Sequence, residues 1–143
     1  MNIRALAASD HVQWLALWRG YLAFYESDLA EDVTELTFQR LIDETEPMFA
    51  LVAENQGCLI GFAHCVLHRG TWTRGDHCYL EDLFVQPDAR GSGMGRALIQ
   101  AVYAHADSLK CERVYWLTRE DNATARALYD KVARVSGFIQ YRR

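Results

Sequence analysis

Between Val12 and Phe24 the apolar positions fall on two helical stripes, Val12, Leu15, Trp18 and Leu22 on one and Trp14, Leu17, Tyr21 and Phe24 on the other. Asp10 is placed to cap this helix, and Gly20 to bend or end it. A helix that is apolar almost all round is buried on several sides, or it lines a groove or a subunit contact. The polar stretch that follows, with Glu26, Asp28, Glu31, Asp32 and Glu35, predicts an acidic loop. Phe38, Leu41 and Ile42 then predict a short helix stopped by Pro47.

From there the period changes. Met48 to Glu54 and Cys58 to Leu67 read as the arms of a hairpin that turns at Asn55-Gln56-Gly57. Cys78 to Val85 predicts a third strand, ended by Pro87, which has no N–H to give to a ladder. After a Gly-rich turn, Met94, Leu98, Val102, His105 and Leu109 mark one face of a helix from Gly93 to Ser108. Arg113 to Leu117 predicts a short buried strand, and Asn122 caps a helix carrying Ala125, Leu128, Tyr129 and Val132. Phe138 to Tyr141 predicts a closing strand, while Ile3 is only a short apolar lead-in. The order implies an α/β (α+β) fold with a mixed central β-sheet and helices on both faces, in one domain spanning 1–143.

Composition removes several classes of function. Half of the 143 residues are hydrophobic and 24% are charged, ordinary globular usage that argues against disorder. The longest apolar run, Met48 to Ala53, is far short of the roughly 18 residues a spanning helix needs, so no membrane partner is expected. No apolar stretch suits a signal peptide before Asp10, and the expected location is cytoplasmic. The net charge of −4 has the wrong sign for a nucleic-acid footprint. Cys58, Cys65, Cys78 and Cys111 form no CxxC pair and read as reduced thiols. His64 and His68 stand four apart on a strand with no third ligand nearby, and no metal is expected.

The sharpest local signal is Arg90-Gly91-Ser92-Gly93-Met94-Gly95-Arg96, between a strand and the helix it opens. Alternating glycines let a ligand approach the backbone, and the free N–H groups of a helix start attract an anion such as a pyrophosphate. The spacing is GxGxG, neither a Walker A loop nor a dinucleotide-fold GxGxxG.

Here the chain resembles the Gcn5-related N-acetyltransferase (GNAT) superfamily, whose Q/R-x-x-G-x-G/A motif is matched by Arg90-x-x-Gly93-x-Gly95. Tyr79-Leu80-Glu81-Asp82-Leu83-Phe84-Val85 resembles that family's splayed strand, and Asn122 with Tyr129 resembles its final-helix signature. The likeness covers roughly residues 48 to 140 and is nearest to the diamine acetyltransferase and yeast Hpa2-like subgroup. It implies acetyl-CoA as co-substrate, held by Leu83, Phe84, Val85, Arg90, Gly91, Ser92, Gly93, Met94, Gly95, Arg96 and Asn122. It also implies direct acetyl transfer to a primary amine, with oxyanion donors near Phe84 and Val85 and Tyr129 as the acid for the departing thiolate. The plainer reading of Tyr129 is a core aromatic on the apolar stripe with Ala125 and Leu128, and the resemblance favours the catalytic one.

Strand alternation puts Glu81 on one face with Tyr79 and Leu83, and Asp82 on the other with Leu80 and Phe84. The resemblance makes Glu81 a catalytic base or a charge anchor for a cationic amine; an ion pair at a strand edge is the plainer reading. Tyr25 and Glu26 are the further substrate-binding candidates, with a solvated acidic loop the alternative for Glu26. Trp72 either covers a substrate mouth or anchors a loop. The expected function is N-acetylation of a small cationic amine, a polyamine, amino acid or similar; peptide lysine acetylation and a non-catalytic CoA-binding module are the alternatives. One short strand after the last helix, where the family commonly has two, leaves an open edge and predicts a homodimer.

Overall fold

The computed structural model describes residues 1–143. Five strands form one sheet in the order β1 (Asn2–Ala5), β2 (Met48–Asn55), β3 (Cys58–His68), β4 (His77–Val85) and β5 (Arg113–Tyr115). The first three pairings are antiparallel and β4–β5 is parallel, so the sheet is mixed. Helices α1 (His11–Phe24) and α2 (Glu31–Ile42) pack on one face, and α3 (Met94–Ser108) and α4 (Ala123–Val132) on the other.

Each face has its own apolar cluster, as the twofold period of the strands requires. Leu51, Ala53, Ile60, Ala63, Cys65, Cys78 and Leu80 meet α3 through Met94, Leu98, Ile99, Val102 and Ala106. Ala50, Val52, Leu59, Phe62 and Phe84 meet Trp14, Leu17 and Trp18 of α1 and Phe38 and Leu41 of α2. α1 continues through Gly20 without ending there, and the bare glycine makes room for the Phe84 ring, 3.3 Å from where a Cβ would stand. Val12 and Phe24 are exposed, so α1 is less uniformly buried than its sequence implies. Asp10 precedes α1 without a side-chain cap; its carboxylate instead takes a two-toothed bond from Arg4 at 2.7 and 2.9 Å and the Ala7 N–H at 2.8 Å. That contact fastens β1, read from sequence only as a lead-in, to the first helix.

Other elements also depart from expectation. α2 begins at Glu31 and absorbs the second half of the acidic stretch, with Glu31 and Asp32 in its first turn, where negative charge is favoured. The β2–β3 hairpin turns on two residues, Gln56 and Gly57, both at positive φ, instead of three. β5 stops at Tyr115, two residues short. The expected closing strand at Phe138–Tyr141 is absent: residues 133–143 belong to no strand, and Phe138, Ile139 and Tyr141 are 88%, 78% and 91% exposed. The tail lies against no strand of this chain, and the outer edge of β5 stays unpaired.

β4 does not alternate regularly along its length. Asp82 pairs with His64, but Leu80 pairs with Cys65, so Glu81 is an extra residue in a β-bulge. Leu80 and Cys78 therefore join the α3 cluster, while Asp82 and Phe84 face α1. Leu80 and Asp82 lie on opposite faces, contrary to simple alternation.

Candidate active site

β4 and β5 pair only over His77–Tyr79 and Arg113–Tyr115, and beyond Tyr79 and Tyr115 they diverge. The gap becomes a narrow cleft lined by Leu80, Glu81 and Leu83 of β4, Trp116 and Leu117 after β5, Tyr129 of α4, and Tyr21 and Tyr25 of α1. The bulge turns Glu81 into this space. Burial, then the neighbouring Asp82 charge, pushes its carboxyl above the ordinary range. Tyr129 stands edge-on to Trp116, ring centroids 5.4 Å apart, and burial raises its phenol above the ordinary value. α4 is held in place by Leu128, which contacts the bare Gly95 of α3, and by the Tyr103 hydroxyl, which donates to Val132 O at 2.9 Å.

N–H groups alternate sides along a strand. That of Gln86 donates to Ile60 O on β3 at 2.9 Å, so those of Val85 and Leu83 point to the other edge, where β5 has moved away. The N–H of Phe84 belongs to the β3 ladder, and its side chain is buried against α1. Of the two residues expected to supply oxyanion donors, only Val85 has a free N–H toward the cleft edge.

The glycine turn follows directly. Gly91 and Gly93 take φ of 81° and 82° with nothing within 4 Å of either missing Cβ, so the backbone there is open to a ligand. Gly93 caps α3, whose first internal bond runs from the Ala97 N–H to Gly93 O, leaving the N–H groups of Met94, Gly95 and Arg96 unspent. Arg90 donates to Val85 O at 2.9 Å and lies over the rings of Phe24 and Phe84, tying the turn to both β4 and α1. Ser92 donates to Ala89 O at 2.6 Å and shapes the turn internally. Met94 is a core side chain and offers only its backbone. These open glycines and free donors fit the pyrophosphate of a CoA ester.

The remaining candidates separate. Tyr25 lines the cleft, but Glu26, at φ 51°, is exposed and is not on its wall. Asn122 accepts the Ala125 N–H and donates to Thr118, and so works as the α4 cap. Trp72 is 87% exposed and outside the cleft. Sequence reasoning missed Tyr21, Leu80, Trp116 and Leu117 as lining residues, because each also reads as core on an apolar stripe. A wider depression, bounded by Leu15, Arg19, Asp28 and Glu31, lies between α1 and the start of α2.

The family model described as the acetyltransferase (GNAT) family matches residues 14–133. The chain belongs to the GNAT family. This acetyltransferase is 36% identical over 143 residues to the D-amino-acid N-acetyltransferase HPA3 of Saccharomyces cerevisiae, covering 99% of this chain and 89% of that one. It is 31% identical to the aminoglycoside N(6')-acetyltransferase type 1 of Stenotrophomonas maltophilia, covering 99% and 88%. The solved structure of AAC(6')-Iy with a bisubstrate analogue superimposes with a TM-score of 0.86 at 18% identity, covering 99% and 96%, a likeness of fold. The GNAT chain is thus an acetyl-CoA-dependent N-acetyltransferase, and no helix in it is long and apolar enough to cross a membrane.

Proposed function

We propose that this acetyltransferase acetylates a small cationic primary amine, with Glu81 and Tyr129 as the reacting acid–base pair. The carrying observation is the cleft where β4 and β5 part, which has a carboxyl on a bulge, a phenol on the last helix and the glycine turn at the head of α3. Acetyl-CoA would be held by the backbone of Gly91 to Arg96, and when bound it supplies the thioester carbonyl that is attacked. An aliphatic ammonium has a pKa near 10 and must lose a proton before it attacks. Glu81, its carboxyl raised above the ordinary range, accepts that proton directly or through water, or holds the ammonium as a counter-charge. The free Val85 N–H is placed for the charge developing on the carbonyl oxygen. Tyr129, still a neutral phenol at physiological pH, gives its proton to the departing thiolate.

Relatives named for D-amino acids, for thialysine and for aminoglycosides all take amines, which supports the class without choosing within it. A cleft narrowed by Tyr21 and Tyr25 suits a small acceptor better than a peptide laid in a groove. Four free thiols, with Cys65 and Cys78 both buried, suit a reducing cytoplasm. An acetyl-transfer screen over polyamines, D- and L-amino acids, aminoglycosides and basic peptides tests the assignment. A small cationic amine should have the highest kcat/KM, and a peptide or a neutral acceptor leading the series would overturn it.

A further inference from the structure

Beneath the cleft runs a chain of buried polar groups that the acid–base pair does not use. The Trp14 indole N–H donates to His64 Nε2 at 3.0 Å, His64 Nδ1 lies 2.9 Å from Asp82 Oδ2, and the Tyr21 hydroxyl donates to Asp82 Oδ1 at 2.8 Å. The side chains of His64 and Asp82 are 3% and 14% exposed, and Trp14 is fully buried. The direction of every bond follows from the chemistry of its ends. An indole N–H can only donate, so His64 Nε2 is bare and the imidazole proton sits on Nδ1, from which it donates to the carboxylate. Asp82 thus accepts from both sides as an anion, and the proton of Tyr21 is committed to it.

The consequence falls on the cleft, because Tyr21 is one of its walls. A phenol whose proton is spent inward has only lone pairs left to offer. Burial, then the Asp82 charge, also raises its pKa strongly, so it remains a phenol. A buried charge sits behind those lone pairs and strengthens them as acceptors. We infer that Tyr21 is a specificity-determining residue that receives an N–H of the acceptor amine on its hydroxyl oxygen, held in that state by the Trp14–His64–Asp82 chain. This rests on reading the cleft as the acceptor site. The charged and titratable groups facing Tyr21 are Asp82 and Glu81 of β4 and Tyr25 of α1, none of them cationic, and the two carboxyl groups favour an ammonium over a carboxylate.

The chain also explains two residue choices that packing alone leaves arbitrary. An apolar residue at position 64 would fill the space between Trp14, Trp18 and Phe62, yet it would orphan the Trp14 N–H and one oxygen of Asp82. An Asn at position 82 would keep the shape and lose the charge.

The test uses the full chain, with acetyl-CoA and the best amine from the acceptor screen. Tyr21→Phe should raise the amine KM at least tenfold, with little change in the acetyl-CoA KM. Asp82→Asn, which keeps the shape, should raise the amine KM in the same direction, and it carries the kinetic arm alone if Tyr21→Phe does not fold. A merely structural role would instead lower kcat and disturb both KM values together, and that result, or an unchanged amine KM, overturns the proposal. Independently of turnover, ¹⁵N NMR of the unmodified protein at neutral pH should show His64 with its proton on Nδ1, and Trp14→Phe should shift the Nε2 resonance. A proton found on Nε2 breaks the chain and with it the inference. If no amine is acetylated while the His64 resonances are as expected, the cleft assignment has failed and the hydrogen-bonded chain has not.

Discussion

Glu81 and Tyr129 share one cleft, and burial moves both upward with opposite kinetic consequences. A base works deprotonated, so a raised Glu81 shifts the rising limb of kcat/KM to higher pH than an ordinary carboxylate would give. An acid works protonated, so a raised Tyr129 pushes the falling limb above about pH 10, the ordinary tyrosine value. Activity should therefore climb through the neutral range and hold into the alkaline range. Glu81→Gln should remove the lower rise if Glu81 is the base, leaving only the deprotonation of the amine itself; if it is an anchor, the amine KM should rise and the profile keep its shape. Tyr129→Phe should lower kcat about 10²-fold with the acetyl-CoA KM nearly unchanged, and full activity in that variant would return Tyr129 to the core. Glu81 and Tyr129 stood out as candidates from sequence because each sits in a short motif, and the fold brings both to one cleft. Tyr21 did not stand out, since its polar tip has meaning only beside Asp82, sixty-one positions away.

Elements whose signals are local were readable, and those that depend on pairing were not. The glycine turn and α3 announce themselves in consecutive residues, and α4 carries its cap and its stripe within one segment. β1 has four residues, and its polar Asn2 and Arg4 give it no pattern before β2 supplies the register. The bulge at Glu81 is a property of the β3–β4 pair, and no reading of β4 alone could place it. Two glycines test this level. At Gly93 the space is open, so Gly93→Val meets no neighbour and acts through its φ of 82°, which a β-branched residue resists. Calorimetry on the folded variant should show acetyl-CoA bound at least tenfold more weakly, about 1.4 kcal/mol. At Gly61 the limit is steric, because a Cβ would come within 2.7 Å of the Phe84 carbonyl oxygen on the neighbouring strand. Gly61→Ala should cost about 2 kcal/mol of stability, read as a lower Tm, by prising β3 from β4 just below the cleft.

Taken whole, the molecule has an unfinished edge and an unplaced segment of the same chemistry. β5 is paired on one side only, through three residues, so its outer row of N–H and C=O groups is a template for another strand. Residues 133–143 carry Val135, Phe138, Ile139 and Tyr141 at 67%, 88%, 78% and 91% exposure, a strand-like run that pairs with no strand of its own chain. So much apolar side chain in water within one short segment is more than scattered surface residues explain. Two copies that exchange these segments would satisfy both deficits at once, each tail pairing with the open β5 edge of the other, as a C2 dimer does with self-complementary patches. We therefore propose a homodimer in solution. Sedimentation at micromolar concentration should give twice 16.4 kDa. Ile139→Asp, which puts a charge into the exchanged strand while sparing every residue of the cleft, should return the protein to one copy. A wild-type species of 16.4 kDa alone, or a dimer indifferent to Ile139→Asp, would show that the tail is not what joins two chains.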